Sequence, residues 1–307
     1  MKKWGIRILI LGIVFVNIIA AFHAYKFTHF TESYRPKSQA NDLSLGEKMS
    51  VVFFGISNPR PVNRSFPEDS FEVVNFQSDE EELEGWWIPV DSAKGNVILF
   101  HGYGGNKSYM LSRASLVRAM GYNTLLVDFR GSGGSTGNTT TIGYKESQDV
   151  LSAIEYLQSK VKGNIYLLGT SMGAAAVIKA VGEQKTEVKG IIIECPFASL
   201  LQASKNRFEK VGVPAFPLAH LLVFWGGMEN GFWGFDHSPA IASALVEVPS
   251  LLIYGERDDR VKRLEIDQVY EHLKGEKELL LFPNAGHGNY LEVDGELWHT
   301  RIQSFLD

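Results

Sequence analysis

The segment G-T-S-M-G at residues 169–173 contains the residue with the clearest potential for chemistry, Ser171. A short apolar run precedes it, and the helix-forming run A-A-A-V-I-K-A-V follows it. A nucleophile on so tight a strand-to-helix turn needs small neighbours, and the turn lifts its oxygen above the sheet. The helix N-terminus adds free backbone N–H groups and a partial positive charge. This setting predicts a nucleophilic serine, with a glycine-rich loop whose serine only caps the helix as the alternative.

A serine nucleophile needs a general base, and the base needs a carboxylate that orients it. Of the eight histidines, His287 has the most suitable setting, because the small residues of N-A-G-H-G leave its ring free on a loop. An ordinary loop histidine is the alternative. The apolar run 250–254 ends at an acidic loop, in which Glu256, Asp258 and Asp259 are all candidate carboxylates. The chain order serine, acid, histidine is the order expected of one particular fold.

Short apolar runs supply the elements that would position these residues. A hairpin of two strands, Phe71–Phe76 and Leu83–Val90, comes first. Six runs without strict alternation follow, as is typical of strands buried on both faces. They are Asn96–Phe100, Asn123–Asp128, Asn164–Leu168, Gly190–Glu194, Ser250–Tyr254 and Glu278–Phe282. The helical segments between or after them are Leu111–Met120, Gly143–Lys160, Met172–Val181, Leu264–Leu273 and Leu297–Phe305. This alternation predicts a mostly parallel, eight-stranded sheet with helices on both faces.

The first 30 residues are apolar and basic and contain no acid. From Trp4 to Phe22, Arg7 is the single charged residue, and a helix of this length just crosses a hydrocarbon core of about 30 Å. We therefore predict a membrane anchor over residues 1–30, with a transmembrane helix at about residues 4–24. A cleaved secretory signal is the alternative, although Phe22 and His23 interrupt the small residues that a cleavage site needs.

The bases Lys2, Lys3 and Arg7 crowd the N-terminal flank of this helix. By the positive-inside rule, the N-terminus lies in the cytoplasm and the catalytic domain lies on the outer, extracytoplasmic side of the membrane. Cleavage of a signal would instead release a secreted protein. The sequence thus predicts a single-pass membrane protein whose partner is the membrane itself.

Charge and composition exclude several classes of function. The 307 residues carry a net charge of -5, and the part beyond residue 30 is more acidic, because four bases lie in the leader. Such acidity argues against a nucleic-acid binder. The single cysteine, Cys195, excludes an internal disulfide framework and a multi-cysteine metal site. Neither H-E-x-x-H nor G-x-x-x-x-G-K-[ST] occurs, so no metal and no organic cofactor is predicted.

Two segments lie outside the regular alternation. Residues 31–65 mix Pro, Ser and Asn and are predicted to be a juxtamembrane linker that leads into the domain containing Ser171, at 66–307. Residues 199–246 form an insertion rich in aromatic residues, which would wall a pocket as a lid. A cap whose aromatic residues simply pack on the domain is the alternative. The candidate lid residues are Phe216, Phe224, Trp225 and Trp233.

Four motifs together resemble the α/β-hydrolase superfamily, from about residue 70 to the end. They are H-G-Y-G-G at 101–105, D-F-R-G-S-G at 128–133, G-T-S-M-G at 169–173, and G-E-R-D at 255–258 with G-H-G at 286–288. The similarity is strongest to membrane-anchored and bacterial serine hydrolases related to the human α/β-hydrolase-domain proteins and to the S9/S33-type peptidase-like group. Each motif alone is weak, but their order is specific.

The resemblance implies roles for particular residues. The family's acid lies three residues after the strand-ending glycine, which selects Asp258 to complete a catalytic triad with Ser171 and His287. It also implies an oxyanion hole formed by the backbone N–H groups of Tyr103 and Met172, whose side chains could then vary. His101 would stabilise its turn, and no cofactor is required.

The function implied is hydrolysis of carboxylic ester or thioester bonds through an acyl-enzyme, on a small-molecule or lipid-like acyl substrate. An S33-like serine aminopeptidase is the alternative within the enzymes. A non-catalytic binding protein with the same fold is the alternative outside them, and the intact residues of the triad argue against it.

Overall fold

The structure, a computed structural model, describes residues 2–32, 55, 58–184 and 186–307. Most of the predicted linker therefore lies outside the described residues. The ten strands are β1 (Phe30–Thr31), β2 (Asn58–Pro59), β3 (Glu72–Ser78), β4 (Glu81–Ile88), β5 (Gly95–Phe100), β6 (Tyr122–Val127), β7 (Ile165–Thr170), β8 (Gly190–Glu194), β9 (Ser250–Gly255) and β10 (Lys277–Phe282). The helices are α1 (Lys2–Thr28), α2 (Leu111–Ala119), α3 (Glu146–Lys160), α4 (Met172–Glu183), α5 (Leu200–Lys210), α6 (Leu218–Glu229), α7 (Pro239–Ala242), α8 (Arg263–His272) and α9 (Tyr290–Leu306).

Eight strands form one sheet in the order β10-β9-β8-β7-β5-β6-β4-β3. The strands β5 to β10 run parallel, and only β4 within this sheet runs against its neighbours. After β5, the chain places β6 next to β5 on one side and then crosses to β7 on the other side of β5. Ligands in such sheets bind outside the carboxyl ends of the strands, at the point where the strand order reverses. The predicted fold class, an α/β-hydrolase fold, is confirmed.

Helices cover both faces of the sheet because the strands bury residues on both sides. Along β5, Ile98 and Phe100 pack into one core cluster with α3, α4 and α8. Val97 and Leu99 point the other way and pack with α2 and α9. All four side chains are fully buried, which explains the near-continuous apolar runs of the sequence.

Helix α1 contains a segment, Lys3–Thr28, that is long and apolar enough to cross a membrane. Its C-terminal half packs on the domain. Ala20, Ala24 and Thr28 are buried at successive four-residue intervals, which places them on one face of the helix. The chain then continues along the domain, where the Phe30 N–H donates to the Asn138 carbonyl at 2.7 Å. The helix is therefore packed on the hydrolase domain as well as being apolar.

The insertion supplies the surface on which α1 packs. Helix α6 lies against α1, and small residues let the two backbones approach closely. A Cβ added at Gly226 would lie 3.9 Å from Thr28 Cγ2 and 4.0 Å from Ala24 Cβ. Farther along the pair, Trp225 Nε1 donates to Asn17 Oδ1 at 3.2 Å. Small residues and interhelical hydrogen bonds of this kind are typical of helix pairs in membranes.

Candidate active site

Ser171 lies on a strained turn between β7 and α4. Its φ of 55° is in the left-handed region, which L side chains rarely adopt. The turn brings the two flanking residues into close contact with other backbone, which is possible because both are glycines. A Cβ at Gly169 would lie 2.5 Å from the Gly173 oxygen, and one at Gly173 would lie 2.5 Å from the Phe100 oxygen. The sequence therefore needs glycine at these two positions to present the serine at the carboxyl edge of the sheet.

Loops after three different strands bring the predicted triad together. His287 Nε2 lies 2.9 Å from Ser171 Oγ, and His287 Nδ1 lies 2.7 Å from Asp258 Oδ2. Both are ordinary hydrogen-bond distances. The serine hydroxyl, the imidazole and the carboxylate thus form one continuous chain of hydrogen bonds. This arrangement can activate a hydroxyl as a nucleophile.

The structure distinguishes among the three acidic residues of the loop after β9. Asp258 Oδ1 accepts the backbone N–H groups of Arg260 at 2.8 Å and Val261 at 3.0 Å, and its other oxygen faces the histidine. Asp259 instead forms an exposed ion pair with Lys210 at 2.5 Å. The exposed Glu256 lies 3.8 Å from an arginine. Asp258 alone among the three contacts His287.

Cys195 is the other group close to the histidine. Its Sγ lies 3.9 Å from His287 Nε2, at the end of β8. Burial opposes the charged imidazolium, but Cys195 and Asp258 outweigh it, so the pKa of His287 is raised above its usual 6.5. The ligand atoms of Cys195, Asp258 and His287 lie within 4.8 Å of one another. A metal ion there would have to displace a hydrogen bond of His287, because both ring nitrogens are already engaged.

The residues that carry the two predicted oxyanion donors, Tyr103 and Met172, line the same cavity as Ser171. Met172 is the first residue of α4, where a backbone N–H has no partner within the helix. Tyr103 belongs to the glycine-rich turn after β5 and lines the same cavity. Its side chain is less free to vary than the backbone role implies. The hydroxyl donates to the Phe27 carbonyl at 2.7 Å and accepts from Asn58 Nδ2 at 2.9 Å, which ties this turn to the end of α1.

A buried ion pair under the site was not predicted from the sequence. Glu194, the last residue of β8, pairs with Arg113 of α2 at 2.8 Å and also accepts from Thr170 Oγ1 at 2.7 Å. Arg113 then donates to the Gly288 carbonyl at 2.8 Å, beside His287. The pair therefore holds the histidine loop against the nucleophile strand. An acidic residue at the end of the apolar run G-I-I-I-E was the available signal.

His101 has the structural role that its position in the turn suggested. It is fully buried, its Nδ1 lies 2.8 Å from the Gly102 carbonyl, and its Nε2 accepts the Phe129 N–H at 3.1 Å. Burial lowers its pKa. These contacts hold the glycine-rich turn after β5 beside the loop after β6. His101 does not contact the serine.

A cavity of about 640 Å³ opens above Ser171 and His287. Its wall includes residues from the domain, from the insertion and from α1. Residues from α1 are Ala24, Phe27 and Thr28, and those from α6 are Leu222, Val223 and Gly226. The end of the apolar N-terminal helix is thus part of the site.

The four predicted lid residues are not found in this wall. Phe216 is 75% exposed and Trp233 is 48% exposed, and Trp233 packs on Phe224 at 5.9 Å between ring centroids. Trp225 contacts α1 instead. The prediction chose the large aromatic residues of the insertion, whereas the face of α6 that meets the cavity carries smaller side chains. The insertion does wall the cavity, but through other residues.

Comparison with known proteins places these features in context. The family model described as serine aminopeptidase, S33, matches residues 91–223. The protein YqkD of Bacillus subtilis is 26% identical over 230 residues, which cover 74% of this chain and 75% of YqkD. A lysophosphatidylserine lipase, ABHD12 of Xenopus tropicalis, is 23% identical over 80% of this chain, which spans 61% of the lipase.

Solved structures resemble this fold over most of its length. The esterase Pf2001 of Pyrococcus furiosus is 27% identical and superposes with a TM-score of 0.68, covering 81% of this chain and 95% of the esterase. A second crystal form of the same esterase gives a TM-score of 0.67 at 26% identity. The likeness therefore extends over nearly the whole of that enzyme.

Proposed function

Because this chain is a member of the α/β-hydrolase superfamily, we propose that it is a membrane-anchored serine hydrolase that cleaves carboxylic esters or thioesters. The observation that carries the proposal is the hydrogen-bonded chain from Ser171 through His287 to Asp258, with distances of 2.9 and 2.7 Å. A structural serine has no need of a histidine whose second nitrogen is held by a buried carboxylate. The same three groups in this geometry perform acyl transfer in unrelated folds.

In this mechanism His287 Nε2 accepts the hydroxyl proton as Ser171 Oγ attacks the acyl carbonyl carbon. Asp258 holds the imidazole in the required tautomer and stabilises its charged form. The N–H groups of Tyr103 and Met172 bind the oxyanion that develops. His287 then gives its proton to the departing alcohol or thiol. A water molecule activated by the same histidine hydrolyses the acyl-enzyme, and both Ser171 and His287 return to their starting states.

The cavity lining favours an ester or thioester over a peptide. An aminopeptidase, which the matched family description suggests, would need a carboxylate to bind the free amine of its substrate. The described residues of the cavity wall include no aspartate or glutamate. They include apolar groups of α6 suited to an acyl chain, such as Leu222 and Val223. The names of two relatives, an esterase and a lysophosphatidylserine lipase, agree with this preference.

We further propose that α1 is retained as an anchor and is not removed as a signal. Cleavage after α1 would remove Ala24, Phe27 and Thr28 from the cavity wall and expose the face of α6. The exposed part of α1, Lys3 to Val16, rises by about 21 Å, which is shorter than a hydrocarbon core of about 30 Å. A spanning helix would therefore place Trp225 within the outer part of the bilayer. An apolar acyl chain could then enter the cavity from the membrane.

The anchor proposal is tested by the mass of the protein extracted from membranes. We expect the mass of the full chain, retained in the membrane after an alkaline wash. In sealed vesicles of known orientation, protease should digest the domain only from the extracytoplasmic side. A mass that lacks the N-terminal helix would contradict retention, and digestion from the cytoplasmic side would contradict the orientation.

Covalent labelling tests whether the protein is a serine hydrolase rather than a non-catalytic binding protein. We expect a fluorophosphonate probe to label the full chain in detergent and not to label the Ser171→Ala variant. Ser112→Ala, which removes an exposed hydroxyl from the same cavity, is the matched control and should still label. Folded wild-type protein that does not label would refute the enzyme proposal. A panel of p-nitrophenyl esters of increasing chain length and of aminoacyl amides then compares esterase with peptidase activity.

A further inference from the structure

The cavity above Ser171 has an uneven charge. Three arginines line it, Arg113, Arg207 and Arg260, whereas its described lining contains no carboxylate side chain. The charge of Arg113 is balanced by Glu194 at 2.8 Å. Neither Arg207 nor Arg260 forms an ion pair or a side-chain hydrogen bond with any residue in the described ranges. A guanidinium remains charged in proteins, so two further positive charges line the cavity. The charge of Arg260 is partly offset by the neighbouring Asp259, whereas no carboxylate in the described ranges pairs with Arg207.

Arg207 is held in place by aromatic rings and keeps its hydrogen-bond donors free. Its guanidinium carbon lies 4.5 Å from the ring centroid of Phe27 and 5.1 Å from that of Tyr103, and these two rings stack at 4.9 Å. Cation–π contacts of this kind orient a guanidinium without using its N–H groups. Because Tyr103 also carries a proposed oxyanion donor, Arg207 lies on the wall that borders the reaction centre.

The environment of Arg207 disfavours its charge in the absence of a ligand. Arg207 and Arg260 are both partly exposed to solvent. Desolvation by the surrounding protein still lowers the pKa of the Arg207 guanidinium, and Arg260 lowers it further. Arg260 belongs to the loop that holds Asp258, because its own backbone N–H donates to that carboxylate at 2.8 Å. Two cations, one from α5 and one from the loop after β9, therefore line the same cavity as Ser171. A bound anion would offset the cost of desolvation and reduce the mutual repulsion, because an opposite charge favours the charged guanidinium.

We propose that Arg207 and Arg260 form an anion-binding subsite, so that the preferred substrate is an acyl ester or thioester with a negatively charged group on its leaving side. The inference rests on the proposed hydrolase function and adds the substrate class to it. The apolar wall formed by Leu222, Val223 and Phe232 receives the acyl chain. The planar guanidinium of Arg207 binds two oxygens of the charged group, an arrangement that suits a carboxylate or a phosphate equally.

Four octanoyl esters with different leaving groups test this preference. They are octanoylcholine, 2-hydroxyethyl octanoate, carboxymethyl octanoate and 2-phosphoethyl octanoate, so that the charge on the leaving side runs from positive through neutral to carboxylate and phosphate. Each value of kcat/KM is divided by the ester's rate of alkaline hydrolysis. For the full chain in neutral detergent, we expect the anionic esters to exceed the neutral ester by about 10- to 100-fold, mainly through KM, and the choline ester to be poorest. The larger gain, with carboxylate or with phosphate, identifies the charged group.

Substitutions on α5 assign the preference to one side chain. Arg207→Gln should lower the ratio of kcat/KM for the anionic ester to kcat/KM for the neutral ester by about 10- to 100-fold. Arg207→Lys should lower this ratio less, because lysine keeps the positive charge but lacks the paired N–H donors of the guanidinium. Lys205→Gln is the matched control. It removes the same charge from the same helix outside the described lining of the cavity and should leave the ratio unchanged.

Labelling by the fluorophosphonate probe separates the outcomes. A wild-type protein that labels and hydrolyses all four esters without preference overturns the subsite and leaves the hydrolase proposal intact. The same holds if Arg207→Gln lowers the neutral and anionic rates equally, or if Lys205→Gln lowers the ratio as much as Arg207→Gln. A folded protein that neither labels nor hydrolyses any ester overturns both proposals.

Discussion

The substitution Asp258→Asn tests the chain of hydrogen bonds most directly, because it replaces one oxygen by an NH₂ group and nearly preserves shape. In the structure, Asp258 Oδ1 is occupied by the N–H groups of Arg260 and Val261, and Oδ2 faces His287 Nδ1 at 2.7 Å. An asparagine would keep its carbonyl oxygen on the two backbone donors. Its NH₂ group would then take the position of Oδ2 and point at the histidine.

The expected loss follows from the tautomer that this amide enforces. An N–H that donates to His287 Nδ1 stabilises the imidazole with its proton on Nε2. That nitrogen would then donate to Ser171 instead of accepting its proton, so the nucleophile would no longer be activated. We expect kcat to fall about 10⁴-fold, which corresponds to about 5.4 kcal/mol of activation free energy.

The assay is steady-state hydrolysis of a short p-nitrophenyl ester, together with thermal unfolding to show that the variant is folded. Asp259→Asn is the matched control, because it removes the same charge from the adjacent residue. It breaks the exposed contact with Lys210 and leaves the hydrogen bonds of Asp258 in place, so activity should change by less than about threefold. A folded Asp258→Asn variant within tenfold of the wild-type rate would refute the role of this carboxylate, as would equal losses in the two variants.

Two further predictions concern the base and the turn. His287 acts in its neutral form, and its pKa is raised above 6.5. We therefore expect kcat/KM for an uncharged ester to increase with pH through an apparent pKa above 6.5, because protonation of His287 at lower pH abolishes the base. An apparent pKa below 6.5 in the measured pH profile would contradict this. Gly173→Ala would place a Cβ 2.5 Å from the Phe100 oxygen, so we expect a loss of about 1–3 kcal/mol in unfolding free energy and slower labelling. Gly295→Ala, where a Cβ meets nothing within 4 Å, is the control and should not destabilise the protein or slow labelling.

Apolar periodicity was sufficient to predict the strands of the sheet but not the starts of two helices. The segment predicted to be helical from Gly143 begins at Glu146 in the structure. Gly143 has a φ of 102°, and Glu146 accepts its N–H at 2.9 Å, so a capped turn precedes the helix. The last helix begins at Tyr290 and not at Leu297, because Asp294 has non-helical angles and interrupts the pattern. Both differences arise from local backbone geometry that periodicity does not contain.

The proximity of Ser171, Asp258 and His287 was predictable because each residue follows a recognisable strand. The carboxyl ends of parallel strands lie along one edge, so residues just after β7, β9 and β10 must lie near one another. The contact between Glu194 and Arg113 joins the end of β8 to α2, and no spacing in the sequence indicates that these two residues meet. The sequence also does not indicate which face of α6 meets the cavity, because the orientation of α6 depends on how α1 packs against it.

The net charge of the protein does not describe the charge inside the cavity. The net charge of -5 argues against a nucleic-acid partner, yet it would also suggest repulsion of an anionic substrate. Electrostatic interactions in water and salt fall off over about 10 Å, so the groups that line the cavity matter more than the total. The acids nearest the site are engaged elsewhere, Glu194 with Arg113 and Asp259 with Lys210. Arg207 therefore faces the cavity uncompensated, and an acidic protein can select an anionic ester.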